Sequence, residues 1–301
     1  MFSFWRRLTV IALFFASLVF AQQNPSPMAD QTRAHKRVPQ QKYPGLEFKI
    51  FDLLPQPVGV FIPQKRQKAK AFDLLLHFHG ASYVVHHAAA KYQGALVAAT
   101  IHLGAGSSVY GNAFDDSTRF QSLVAAIHDS LKQKLARSFS LQKIILSGFS
   151  AGYGAIRKII SSQQNFEAVE AILLLDGIHA DYVPERRVLA EGGRLDSSDV
   201  AAFIRFARAA AQKNAGKQFL ITHSEIFPGT FVSTTEATDF VLQNLGMKRQ
   251  AVLRWGPLGM QQLSAARQHH FSVLGFAGNT APDHVDHFHA LDYFLNKLKK
   301  L

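Results

Sequence analysis

A serine, a cluster of histidines and two carboxylates carry the chemistry to be expected of these 301 residues. Ser150 lies in Gly148-Phe149-Ser150-Ala151-Gly152, directly after the apolar run Ile144-Ile145-Leu146 and before the helical pattern of Ala155, Ile156, Ile159 and Ile160. A strand that turns sharply into a helix holds a serine oxygen clear of its neighbours, and such an elbow closes only if the flanking residues are small. A serine so placed becomes a nucleophile once a base takes its proton. Ser150 is therefore the candidate nucleophile. The N–H of Ala151 is a candidate donor to the oxyanion that its attack would create.

The base should follow the last strand, where Asp283-His284-Val285-Asp286-His287-Phe288-His289 opens a final helix. Imidazole changes charge near neutral pH and suits the role. His284 and His287 stand one turn apart. His287 is preferred because it lies nearest the sheet-facing Leu291 and Phe294, and His284 is the alternative. For the acid there are two strand-end candidates. Asp176 follows the wholly apolar Ala171-Ile172-Leu173-Leu174-Leu175, and Glu225 follows Thr222-His223-Ser224. Asp176 is preferred, since a charge after an apolar strand needs a partner, whereas the Glu225 loop is polar. Glu236, in Ser233-Thr234-Thr235-Glu236, reads as part of a helix capping box.

Another strand ends in His79-Gly80-Ala81. The glycine lets backbone N–H groups approach a ligand, so Gly80 or Ala81 is expected to supply the second oxyanion donor, with His79 bonded to the turn. Tyr153 and Tyr110 are candidates to line an acyl pocket. Gly104 to Gly111 lacks the Gly-Lys-Ser/Thr of a phosphate loop and reads as a wall of that pocket.

Positioning these residues takes a sheet. Residues 46–51 and 58–62 alternate and read as an opening antiparallel pair. Buried-type strands follow at 72–78, 95–103, 144–149, 171–175, 218–222 and 271–276. Helical periods occupy 120–135, the segment after the elbow, 200–211, 234–245 and about 286–298. Strands alternating with helices predict an α/β fold, a mostly parallel sheet with helices on both faces. Chemistry then belongs at the carboxyl ends of the strands.

The motifs at His79-Gly80, at Gly148–Gly152 and in the histidine segment resemble those of the α/β-hydrolase superfamily, and the resemblance covers nearly all of the chain after the leader. It implies an α/β-hydrolase fold with a triad in the order Ser, acid, His. The family most often keeps its acid after the seventh strand, so a preference for Asp176 departs from that pattern. Residues 181–198 could form at most a small lid.

Arg6 and Arg7 precede an apolar run from residue 8 to 20, so residues 1–21 read as a secretory signal peptide. Residues 22–43 are polar and proline-bearing and read as a flexible leader. A single domain is expected over 44–301. There is no cysteine, hence no disulfide. The +12 net charge is scattered, and no nucleic-acid motif is present. Fourteen histidines, with pairs at His77/His79 and His86/His87, keep metal chemistry open as an alternative, but His-Glu-x-x-His is missing. The reading is an exported serine hydrolase, periplasmic or secreted, that cleaves a small-molecule or polymer carboxylic ester through an acyl-enzyme. It needs no cofactor and no metal, and has no nucleic-acid partner and no stable membrane insertion after signal cleavage. Peptidase or acyltransferase action would use the same groups. A binding protein without catalysis, or a histidine-rich metal-dependent hydrolase, are the alternatives.

Overall fold

The computed structural model describes residues 33–214 and 216–301. The expected signal peptide and the first part of the leader lie outside these residues. Among the described residues twelve strands follow in chain order: β1 (Gly45–Ile50), β2 (Val58–Pro63), β3 (Ala71–Phe78), β4 (Leu96–Ile101), β5 (Ser140–Phe149), β6 (Ala171–Leu175), β7 (Tyr182–Val183), β8 (Arg194–Leu195), β9 (Gln218–His223), β10 (Gln250–Trp255), β11 (Gln261–Gln268) and β12 (Phe271–Phe276). The helices are α1 (Ser82–Lys91), α2 (Ser107–Asn112), α3 (Arg119–Leu135), α4 (Tyr153–Ser161), α5 (Gln163–Ala168), α6 (Ser197–Ala210), α7 (Thr234–Gln243), α8 (Ala281–His289) and α9 (Leu291–Leu298).

Ten of the strands form one sheet in the order β1-β2-β4-β3-β5-β6-β9-β12-β11-β10. The stretch from β4 to β12 is parallel. Antiparallel strands close both edges. The parallel strands are near-continuous apolar runs because both of their faces are covered. Alternation along β3 divides the core in two. Phe72, Leu74, Leu76 and Phe78 pack with α3, α4, α6 and α7, whereas Leu75 joins α1, α8 and α9 on the other face.

Several regions depart from the sequence expectation. α1 was not anticipated, because the one face that Val84, Val85, Ala88 and Ala89 share is half alanine and is flanked by the buried His86, which leaves only a weak apolar stripe. The hairpin of β10 and β11 was also missed. β10 is exposed almost throughout and shows no apolar alternation. The final helix is two helices, broken at Ala290 (φ −92°, ψ 16°).

The leader also differs where it is described. Residues 33–38 are held on α8 by ion pairs and hydrogen bonds, and Tyr43 meets His87 of α1 at 2.8 Å. The expected small lid is a two-stranded excursion formed by β7 and β8.

Candidate active site

The elbow is built by close backbone packing. Ser150 has φ 48°, in the left-handed region that an L-residue rarely adopts. A Cβ on Gly152 would meet the Phe78 carbonyl oxygen at 2.2 Å, and one on Gly148 would meet the Gly152 backbone at 3.0 Å. Small residues on either side of the serine are therefore a steric requirement. Gly177 adds a third close approach, since its Cβ would lie 2.5 Å from the Ser150 carbonyl oxygen. The end of β6 thus presses directly on the elbow.

Asp176, just before that glycine, is 1% exposed and also has positive φ (45°). Its Oδ1 accepts from the Ser224 N–H (2.9 Å) and the Thr234 hydroxyl (2.8 Å). Its Oδ2 accepts from the Ser224 hydroxyl and from His284 Nδ1, each at 2.7 Å. Burial alone would raise its pKa. The nearby His287 and His284 and the Ser224 donor outweigh burial and hold the carboxyl well below the usual range. Because Nδ1–H donates to the carboxylate, the neutral imidazole of His284 keeps its lone pair on Nε2. Ser150, Asp176 and His284 line one cleft of about 270 Å³, whose other walls include His179, Ile226, Pro228 and Phe231.

His287, preferred from the sequence, is placed elsewhere. It is 1% exposed, pairs with the Thr222 hydroxyl through Nδ1 at 2.7 Å, and packs against Phe276 and Phe294. Burial pushes its pKa down to about 4. Apolar neighbours mark the side of α8 that faces the core, so the packing brings His287 to Thr222 and not to the cleft. Glu225 is likewise apart. It is exposed, its carboxylate meets the Gly278 N–H at 3.4 Å, and it lines a different cleft. At the end of β9 it is the neighbouring Ser224 that reaches the site, donating its N–H and hydroxyl to Asp176.

His79 (φ 70°) lies beyond β3 and stacks on Phe149, and its Nδ1 meets the Tyr110 hydroxyl at 2.9 Å. Gly80 has φ 136°, and a Cβ there would strike the Phe288 ring at 2.3 Å. Its N–H points to His102 Nδ1 at 3.4 Å, whereas Ala81 opens α1 as its N-cap. Below the turn, His77 Nε2–H donates to the His79 carbonyl at 3.0 Å and Nδ1 accepts from Ser147. Burial pushes the His77 pKa down to about 3, so both nitrogens serve structure.

Tyr153 is buried behind the cleft, donating to Ser107 and packing edge-on to His179. Tyr110, at 0% exposure, ties the His79 turn to the Gly104 carbonyl. Neither tyrosine lines the cleft. Nor, among the described residues, does any part of the 181–198 excursion. The loop around Ile226 to Phe231, which the sequence did not single out, forms that wall. The capping box of Ser233 and Glu236 is present as expected.

Among the described residues one trio, His35, Asp283 and Asp286, has the spacing of a metal site. Arg33 and Arg37 occupy its carboxylates. The histidine pairs noted in the sequence do not form another such group among the described residues. No helix among the described residues is long and apolar enough to cross a membrane.

No protein-family model and no curated protein sequence matches the chain. Solved structures do resemble it. The enterobactin esterase FES from Shigella flexneri, in the presence of enterobactin, is 11% identical with a TM-score of 0.50, over 88% of this chain and 60% of that one. This chain therefore spans well under two thirds of that esterase. An arylesterase is 13% identical with a TM-score of 0.48, over 88% of this chain and 87% of that one. An esterase from Pyrobaculum calidifontis is 14% identical with a TM-score of 0.46 over the same shares of the two chains. Together with the mostly parallel sheet and its flanking helices, the first of these likenesses establishes that this chain has the α/β-hydrolase fold.

Proposed function

We propose that the protein is a serine hydrolase acting on carboxylic esters, with Ser150 as nucleophile, His284 as base and Asp176 as the acid that orients it. The single observation that supports this best is the 2.7 Å contact of His284 Nδ1 with a buried, fully hydrogen-bonded Asp176, in the same cleft as a serine held at positive φ. Ser150 Oγ attacks the ester carbonyl while His284 Nε2 takes its proton. The resulting imidazolium is stabilised by Asp176 and then returns the proton to the departing alcohol, leaving an acyl-enzyme. Water, activated by the same imidazole, releases the acid and restores Ser150. The Ala151 N–H is one donor to the oxyanion. The Gly80 N–H is turned to His102, which leaves the Ala81 N–H as the second.

Ile226, Pro228 and Phe231 favour an uncharged acyl or aryl group in the cleft. An esterase that shares the fold is in keeping with ester chemistry. Export to the periplasm or beyond is part of the proposal and rests on residues 1–21. A fluorophosphonate should label the protein, and Ser150→Ala should abolish both labelling and hydrolysis of p-nitrophenyl esters without unfolding the chain. Undiminished turnover by that variant would refute the serine mechanism.

A further inference from the structure

Residues 33–38 lie across α8, the helix that carries His284. Arg33, His35 and Arg37, spaced two apart, all reach Asp286, and Arg33 also reaches Asp283. Arg33 bonds Asp283 at 2.6 Å and also pairs with Asp286. His35 meets Asp286 at 2.8 Å. Arg37 pairs with Asp286 and donates to the Pro282 carbonyl at 2.8 Å. Val38 then donates its N–H to His289 Nδ1 at 3.0 Å. The contacts run from Pro282 to His289 and bracket His284 on both sides.

The inner side of α8 is fixed by other means. His287 pairs with Thr222 on β9, and Phe288 fills the space beside Gly80 and stacks on Phe149, next to the nucleophile. α8 therefore touches the turn expected to supply the oxyanion donor, the elbow strand and, through His284, the acid. Asp283 and Asp286 are 3% and 0% exposed. Asp283 also accepts from the N–H and hydroxyl of Thr280. Without the two arginines, however, Asp286 keeps only His35 among the described residues. A buried carboxylate short of counter-charge is strongly unfavourable, which favours a shift of α8 that brings Asp286 toward water. His284 would move with it. A displacement of about 1 Å in a reacting group is enough to cost roughly 10²-fold in rate.

We propose that residues 33–38 are a strap that positions His284, with Arg33 and Arg37 as its positioning residues. The proposal rests on the roles of Ser150, His284 and Asp176 given above. In the otherwise intact chain, Arg33→Gln/Arg37→Gln should lower kcat by about 10²-fold with KM within about twofold, the pattern of a group displaced and not of a binding site lost. Arg33→Lys/Arg37→Lys, which keeps the charges, should recover most of the rate. A readout independent of turnover is the low-field proton resonance of the His284 Nδ1–H on Asp176, assigned by its loss in His284→Gln. It should broaden or vanish in the glutamine variant and return in the lysine one. If the double variant does not fold, Arg37→Gln, which leaves Arg33 on both carboxylates, decides by the same readouts. A folded glutamine variant with the resonance intact and kcat within about twofold of the parent overturns the strap. Failure of the serine mechanism would show differently, as full turnover by Ser150→Ala, and the resonance would still test the strap.

Discussion

Two clefts open on either side of the carboxyl end of β9, and the larger one lacks the arrangement that supports chemistry. The cleft of about 270 Å³ holds Ser150, Asp176 and His284. The other, about 500 Å³, has His223, Glu225, Asp239, Arg249 and Ser264 among its lining residues. Consecutive residues of the chain face the two, with Ser224 anchoring Asp176 and His223 serving the larger cleft. Both are lined by at least one histidine, one carboxylate and one serine. In the larger cleft, however, Asp239 is taken by Arg249 in a two-point pair, and Glu225 is exposed. His223 bonds the Ser224 carbonyl through Nδ1, and among the described residues its buried Nε2 has no hydrogen-bond partner. What separates the clefts is an imidazole bonded to a buried acid in the same cleft as a serine on a strained turn. Volume does not separate them.

The comparison breaks first at the carboxylates. Asp176→Asn should lower kcat by about 10⁴-fold, as loss of the orienting acid does in serine proteases, and His284→Gln should fall in the same class. Each variant has to be checked for folding by circular dichroism, because unpairing buried donors also destabilises. Near-normal turnover by folded Asp176→Asn would move the acid elsewhere.

A smaller effect is expected from the packing beneath the site. Gly177→Ala places a methyl group against the Ser150 backbone, so the elbow must shift. Turnover should drop by about 10- to 100-fold while KM changes little. Steady-state kinetics on esters of one acyl series would show it, and an unchanged kcat would mean that the elbow tolerates the shift.

Stability should sharpen the contrast between His284 and His287. The His287 pKa falls from 6.5 to about 4 because burial penalises the cation. Between these values the unfolded chain binds more protons than the folded one, so stability is lost as pH falls from about 6.5 toward 4. The loss from this group is on the order of 3 kcal/mol. Urea unfolding at a series of pH values should show a shallower acid slope for His287→Gln than for the parent. Equal slopes would mean that His287 does not titrate on unfolding.

The smallest effects are expected at the larger cleft and from metal removal. Glu225→Gln should leave turnover within about twofold of the parent, as surface substitutions away from a site usually do. Exhaustive chelation should likewise leave it unchanged, and loss restored by zinc would favour metal chemistry. An inactive, folded Glu225→Gln would reverse the ranking of the two clefts.

Much of this was legible in the chain itself, because it depends on short-range sterics and burial. The apolar runs of β3, β5, β6 and β12 read as buried strands because both their faces are covered. The spacing Gly148, Ser150, Gly152 marks the elbow because a Cβ at either glycine would collide with the backbone. Asp176 stood out because an aspartate after five apolar residues must find donors. Other features were not readable, because they depend on which faces meet. His284 and His287 are three residues apart on one helix, and only the packing of α8 against β9 sends one to Asp176 and the other to Thr222. Ser224 carries no charge to announce its part in holding Asp176. Arg33 and Arg37 looked like solvated leader until α8, some 250 residues later in the chain, brought two buried carboxylates to them. Local pattern is written in consecutive residues, but the pairing of a charge with its counter-charge across such a separation exists only once the chain has folded.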